Sequence, residues 1–322
     1  MSLSNQTLQT AIEWFLFHCE YEKRLNPKTL QAYTSDLNQM LAFIKKGASV
    51  PLVGQVTPDV IRAYLKGLAS YKAKTIKRKM ASAKAFFNYM EQEFDDYVNP
   101  MRKVRIKIKV PLILPNVLTL SEIGQILTYL YTKKEQTATD ERDQEKLLRL
   151  IAIVELLFGT GLRVSELCSL RIGDIDLQEG IVKVYGKGSR ERVIQICQSA
   201  IIEAMENYIR ISNYHGSGTT RPLFLNLRGE ALDAQSVRAS IKALAREAGI
   251  NKRVTPHTFR HTLATLLLEE GVDIKYIQTI LGHSSLSTTQ IYTHVTNTRQ
   301  KIILRDFHPR RRLLMLRDYR QR

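Results

Sequence analysis

The chain has 322 residues, with 48 Lys and Arg against 31 Asp and Glu and a formal net charge of +17 at pH 7. Hydrophobic residues make up 44% of it, which supports packed cores and argues against intrinsic disorder, and at roughly 150 residues per domain the length suits two domains. So large a cationic excess favours a polyanionic partner, nucleic acid or an anionic surface, and composition alone does not choose between the two.

The first residues, MSLSNQTLQTAIEWF, lack the basic start and apolar run of a secretion signal, so an intracellular protein is expected. The longest apolar run, Ile151 to Phe158, is broken by Glu155 and falls far short of the ~20 residues of a membrane span. No membrane partner is expected. Cys19, Cys168 and Cys197 are too few and too scattered for a disulfide framework or a CxxC metal pair.

Helical periodicity dominates the first hundred residues. Leu8, Ile12, Phe15 and Leu16 form one stripe, and Leu30, Tyr33, Leu37, Met40, Leu41 and Ile44 form another after Pro27. Pro58 opens a short helix. Tyr71 to Met90 then mixes Lys72, Lys74, Lys77, Arg78, Lys79 and Lys84 with an apolar stripe, which reads equally as a solvated cationic face and as a phosphate-contacting one. Asn99 to Val117 carries Pro100, Pro111, Pro115 and the cations Arg102, Lys103, Arg105, Lys107 and Lys109 with no acidic residue, the pattern of an extended linker. The expected division is therefore a helical domain over 1–100, a basic linker over 101–116 and a second domain over 117–322. Before Pro111 lie 18 basic and 9 acidic residues, and from there on 30 and 22, so both parts are cationic and the smaller is the more densely charged.

The second part mixes element types. Thr132 to Lys146 reads as a polar insertion, and Gly159-Thr160-Gly161-Leu162-Arg163 ends one helix and starts another, with Arg163 at the turn and Glu166 within reach as an ion-pair partner. Ile181 to Tyr185 and Arg192 to Ile196 are β-rich runs around a polar tip that holds Lys187, with Val182, Val184, Ile194 and Ile196 on one face. Asp233 caps a helix ended by Gly249, and Thr255-Pro256 opens another ended by Gly271. On that second helix His257, Arg260 and His261 sit three and four apart, so they share one side. The two histidines have the spacing of a helical zinc site, but Thr258 stands where a zinc protease needs its glutamate and Arg260 would lie beside the metal, so no metal is expected. A cation with two imidazoles suits an anion such as phosphate. A short helix then stops at Gly282, leaving His283 beyond its end, and Ser287 with Gln290 forms a capping box that puts Tyr292 early in a new helix. Taken alone, a tyrosine there is packing more often than nucleophile.

Each signal is weak alone, but in this order GTGLRVSEL at Gly159, VYGKGSRER at Val184, TPHTFRHTLATLLLEEGVD at Thr255 and LGHSSLSTTQIYTHV at Leu281 resemble the tyrosine recombinase (phage integrase) family, close to its Xer branch. NPKTLQAYTSDL in the first part and HPR at His308 extend the likeness over most of the chain. The resemblance implies a mainly α protein with a small β component, a helical N-terminal core-binding (SAM-like) domain and a mixed α+β catalytic domain. It implies a site-specific DNA recombinase in which Tyr292 is the nucleophile, Arg163 and Arg260 clasp the scissile phosphate, His257 and His283 assist, and Lys187 protonates the leaving oxygen. No cofactor, metal or ATP is implied.

The implied partner is double-stranded DNA carrying specific sites, bound by a homo-tetramer or a tetramer shared with a homologous recombinase, with room for an accessory protein. A location in the cytoplasm on the nucleoid follows. Lys72, Lys74, Lys77, Arg78, Lys79, Arg102, Lys103 and Arg105 are the expected backbone contacts, and 305–322, with seven arginines and two aspartates, resembles the family's docking tail. A type IB topoisomerase-like nicking and closing enzyme, or a catalytically silent DNA-binding regulator, would use the same fold. All six implied positions being occupied argues against the regulator.

Overall fold

The computed structural model describes residues 6–47, 50–105, 107–109, 111, 116–136, 141–185, 191–212, 218–226, 228–282 and 301–313. The chain divides into two compact units, 1–113 and 114–322, each with its own hydrophobic core.

In the first unit, helices start where a side chain can take up the orphan amides of their first turn. The hydroxyl of Thr7 accepts from the Thr10 amide at the head of α1 (Leu8–Phe17). The carbonyl of the Asn26 side chain does the same for α2 (Pro27–Lys45), and Thr57 for α3 (Pro58–Gly67). Proline at the first position of α2 and α3 sacrifices an amide that has no helical partner. A π-helical turn, His18–Glu22, extends α1, and α4 (Ala73–Glu93) completes the bundle. The stripes read from the sequence meet here: Leu8, Ile12 and Phe15 of α1, Leu37 and Met40 of α2, and Phe86, Phe87 and Met90 of α4 are all buried in one cluster. Phe15 packs edge-on against Phe86 with ring centroids 5.8 Å apart.

The second unit is built around α6 (Glu141–Thr160), which is buried without a break from Ile151 to Thr160. A helix apolar on all sides belongs inside, and α5 (Leu120–Gln136), α8 (Ser199–Ile211) and α10 (Pro256–Glu269) pack around it. Between the short α7 (Val164–Ser169) and α8 lies a three-stranded antiparallel sheet, β1 (Ile175–Asp176), β2 (Ile181–Tyr185) and β3 (Glu191–Gln195). Val182 faces Ile194 and Val184 faces Arg192 across β2 and β3, and the expected apolar face of Val182, Val184, Ile194 and Ile196 is buried. α9 (Ala234–Glu247) is capped by Asp233, whose carboxylate accepts from the Gln235 and Ser236 amides. α11 (Ile274–Leu281) ends at Gly282, which takes the left-handed conformation at φ +65°. The architecture is thus mainly α with one small sheet. No helix among the described residues is long and apolar enough to cross a membrane.

Two segments differ from their sequence reading. The start of the expected linker folds back onto the first unit: Pro100–Lys103 forms a 3-10 turn that buries Pro100 and Met101, Val104 and Ile108 pack on the same core, and Arg102 pairs with Glu91 at 2.8 Å. Apolar residues spaced between the cations outweigh their mutual repulsion there. The expected insertion over 132–146 is largely helix, since α5 runs to Gln136 and α6 begins at Glu141. Its Lys, Glu and Gln residues are polar but helix-favouring, and Lys133 is anchored by Tyr129 and Glu247.

Candidate active site

Three separate elements meet at the turn that ends α6. Gly161 adopts φ +63°, and a Cβ there would stand 2.5 Å from the Leu281 side chain and 3.2 Å from that of Leu263, so only glycine lets α10 and α11 approach the turn so closely. Arg163 follows as the cap of α7. Its backbone N–H donates to Glu166 Oε2 (2.8 Å) and its Nη1 to Glu166 Oε1 (2.8 Å), while Nη2 donates to the carbonyl of Gly282 (3.0 Å).

Arg260 reaches the same place from α10. It lies on the inward stripe with Pro256, Leu263 and Leu267 and is only 5% exposed. Its Nη1 donates to Gly161 O (2.7 Å) and its Nη2 to Leu281 O (2.6 Å). Arg163 and Arg260 therefore hold successive carbonyls at the end of α11, where the helix dipole favours cations. Arg192 of β3 completes the cluster with a two-point bond to Glu166, Nη1 to Oε1 at 2.9 Å and Nη2 to Oε2 at 2.8 Å.

Two guanidinium groups, those of Arg163 and Arg192, thus share one carboxylate, and Arg260 stands beside them on backbone carbonyls. Burial works against the charge of Glu166, but the bonds from Arg192 and the Arg163 amide outweigh it and hold its pKa at about 2. Burial, and then the facing Arg163, pull Arg260 down to about 10, still far above neutral pH, so it stays charged. His257, one turn before Arg260, is exposed, and its pKa is lowered first by partial burial and then by His261, Arg260, Arg238 and Arg163. A neutral imidazole beside a surplus of partly buried positive charge is an arrangement that receives an anion and can accept a proton next to it.

Residues 116–299 match the phage integrase family, and residues 12–93 match the phage integrase N-terminal SAM-like domain. The chain belongs to the phage integrase family. It is 41% identical to a tyrosine recombinase of Agathobacter rectalis over 94% of this chain and 98% of that protein. To the tyrosine recombinase XerC of Thermodesulfovibrio yellowstonii it is 38% identical, over 87% and 90%. Its fold is shared with the XerH site-specific recombinase bound to difH substrate in a pre-cleavage complex, at TM-score 0.66 and 19% identity over 93% of this chain and 90% of that one. It is also shared with a lambda integrase tetramer bound to a Holliday junction, at TM-score 0.66 and 22% identity over 89% and 77%. This family member is a tyrosine site-specific recombinase, its first unit the SAM-like domain and its second the catalytic one.

Of the six implied site residues of this recombinase, Arg163 and Arg260 come together and His257 stands beside them. Lys187 falls in 186–190, and His283 and Tyr292 fall in 283–300, outside the described residues. The expected common face of His257, Arg260 and His261 divides: Arg260 is buried, and both histidines are exposed. At 100° per residue the three span about 100° of arc, and the edge of the core falls between them.

The cations of the first unit divide as well. Lys72, Lys74, Lys77, Arg78, Lys103 and Arg105 are exposed, Arg78 in a pair with Asp36, and Arg102 is exposed in its pair with Glu91. Lys79 is different. It is 2% exposed, its ammonium donates to Asp36 (3.2 Å) and Gln39 (2.5 Å), and Ser82 also donates to Asp36. Its charge is consumed in joining α2 to α4, so it has no face to offer a phosphate. Two residues of the cluster were given no active part by the sequence reading: Glu166, weighed there only as an ion-pair partner, and Arg192. The signal for Arg192 was its parity, since strand period two puts it on the buried face with Ile194 and Ile196.

Proposed function

We propose that this recombinase cuts and rejoins DNA through a phosphotyrosyl intermediate formed by Tyr292. The Tyr292 oxygen attacks the scissile phosphorus, the bond from phosphorus to the 5′ oxygen breaks, and a 3′-phosphotyrosyl ester and a free 5′-hydroxyl result. His257, neutral near pH 7, takes the phenol proton, and Lys187 gives a proton to the departing 5′ oxygen. Arg163 and Arg260 hold the non-bridging oxygens, His283 assists them, and the charge gathered in the five-coordinate transition state is balanced by groups already in place. Such donors contribute roughly 3 kcal/mol each. A 5′-hydroxyl from a second duplex then attacks the ester, reversing the same steps, so no ATP or metal takes part.

The observation that carries this reading is the convergence of Arg163 and Arg260 on successive carbonyls, with Glu166 as the one carboxylate bonded within a cluster of three guanidinium groups of which Arg260 is buried and Arg163 and Arg192 are partly exposed. In the same reading 1–100 is a core-binding domain and 101–116 passes between it and the catalytic domain over 117–322. The first unit grips the DNA backbone through Lys72, Lys74, Lys77, Arg78, Arg102, Lys103 and Arg105. Four protomers, identical or drawn from two homologous recombinases, act on two specific sites through a Holliday junction, on the nucleoid in the cytoplasm, with the closing segment 305–322 docking between neighbours.

The test is a reaction of two differently marked duplexes carrying the native site, run with chelator and without ATP. Joined products with exchanged marks are expected. Nicking and resealing without exchange would replace this reading with a topoisomerase, and binding with no cut strand would replace it with a regulator.

A further inference from the structure

We infer that Arg192 is a positioning residue for the scissile-phosphate arginine Arg163, acting through Glu166 and the end of α11. The inference rests on the reading of Arg163 given above and adds to it a residue that touches no DNA.

Arg163 has two side-chain anchors, Glu166 and the Gly282 carbonyl, and Arg192 bonds the first and lies beside the residue that carries the second. Its guanidinium takes both oxygens of Glu166, so that the carboxylate accepts four bonds: Oε1 from Arg163 Nη1 and Arg192 Nη1, Oε2 from the Arg163 amide and Arg192 Nη2. The same guanidinium lies flat against Gly282, where an added Cβ would stand 2.8 Å from Arg192 Nε and 2.9 Å from Cζ. Without Arg192, Glu166 keeps one lateral partner in place of two and can swing with Arg163, and Gly282, which ends α11, loses its neighbour. A planar fork fixes a carboxylate in a way that a flexible ammonium cannot. Stability alone gives little reason for the arrangement, because Arg192 Nε is buried with no acceptor among the described residues, which costs free energy.

The register explains why β3 is the element that does this. Arg192 pairs with Val184 and lies on the inward face with Ile194, so its side chain points under the sheet towards α7 and α11. In sequence, β3 directly follows residues 186–190, which include Lys187, so one strand adjoins both the proposed acid and the phosphate clasp.

The test compares Arg192→Ala, Arg192→Lys and Arg163→Ala on a nicked suicide duplex, scoring the rate of covalent adduct formation at saturating enzyme and the midpoint of a gel shift. Each is repeated with a neutral methylphosphonate at the scissile position, which reduces the need for a clasping cation. On the ordinary phosphate we expect Arg192→Ala to slow adduct formation 10- to 100-fold with its gel-shift midpoint unchanged, and Arg192→Lys to recover part of the rate. On the methylphosphonate the deficits of Arg192→Ala and Arg163→Ala should shrink together. An Arg192→Ala deficit of the same size on both substrates, or none on either, would overturn the inference. Undiminished cleavage by Arg163→Ala would overturn the underlying assignment of Arg163 instead, whatever Arg192 does.

Discussion

Arg163 and Arg260, 97 positions apart in sequence, bond to adjacent carbonyls, Gly282 O at 3.0 Å and Leu281 O at 2.6 Å. The two guanidinium groups therefore lock the end of α11, and the segment that follows carries His283 and Tyr292. The residues that would bind phosphate also fix the point from which the segment of the proposed nucleophile departs. This coupling makes the arginines more than a charge reservoir and gives different substitutions different signatures.

Arg163→Lys and Arg260→Lys keep the charge and lose the fork. Each should lower the rate of covalent adduct formation by roughly 100-fold or more, the scale of losing one preorganised donor. The Arg260 variant should also be less stable in urea, because its guanidinium satisfies two carbonyls in the core. The Arg163 variant, one-third exposed, should keep a urea midpoint close to that of the parent.

Gly282→Ala should be more harmful than its size suggests. The residue has φ +65°, and the new methyl would lie 2.8 Å from Arg192 Nε. Strain of about 1–3 kcal/mol is expected, together with displacement of the carbonyl held by Arg163. Both the urea midpoint and the single-turnover cleavage rate should fall, whereas Gly271→Ala, whose Cβ would meet open space at a similar positive φ, should affect stability alone.

The closing segment has its own anchor within the second unit. Arg310 gives a two-point bond to Glu155 (3.0 and 2.8 Å), the Tyr131 hydroxyl donates to the same carboxylate (2.9 Å), and both charges are almost wholly buried. Removing one partner leaves a buried charge unpaired, so Glu155→Gln should cost roughly 3–5 kcal/mol in chemical denaturation. Replacing both partners with Gln and Met together should cost less than Glu155→Gln alone.

Beside that pair, His308 is buried and neutral: its Nδ1 accepts from the Arg310 amide, so Nε2 carries the hydrogen and donates to Gly159 O. Burial first of all lowers its pKa to about 4 from the ordinary 6.5. Between those values the unfolded chain binds a proton that the folded one refuses, so stability should fall as pH drops from 6.5 to 4, by up to ~3 kcal/mol. His257 is lowered too and adds in the same direction. Glu166, held at about 2 and normally titrating near 4.5, loses its stabilising contribution as pH falls from about 4.5 to 2, so it adds to the loss only at the lower edge of that window and below. Urea midpoints at pH 7.5 and 5 should therefore differ less for His308→Gln than for the parent.

Much of this was legible in the sequence because it is local. The cap at Asp233, the proline starts of α2, α3 and α10, and the alternating face of the hairpin follow from neighbouring residues. What stayed hidden depends on partners far along the chain. Lys79 lies on the apolar stripe of α4 with Ala83 and Phe86, so its inward direction was readable, but Asp36, the partner that makes burial tolerable, sits 43 residues away. Arg192 pointed inward by strand parity, yet only the folded chain brings Glu166 and Gly282 to it. The linker misled for the opposite reason: its charges are conspicuous, and Met101, Val104 and Ile108 between them are what the first unit's core uses.

The central claim is that a tyrosine becomes covalently joined to DNA beside this arginine pair, and it is tested most directly by trapping the recombinase on a nicked duplex of its native site, digesting the adduct and locating the nucleotide by mass spectrometry. The account predicts a single modified peptide with the nucleotide on Tyr292 through a 3′ phosphate, and no adduct from Tyr292→Phe that still binds the duplex. Attachment to another residue, or an undiminished adduct from Tyr292→Phe, would contradict it.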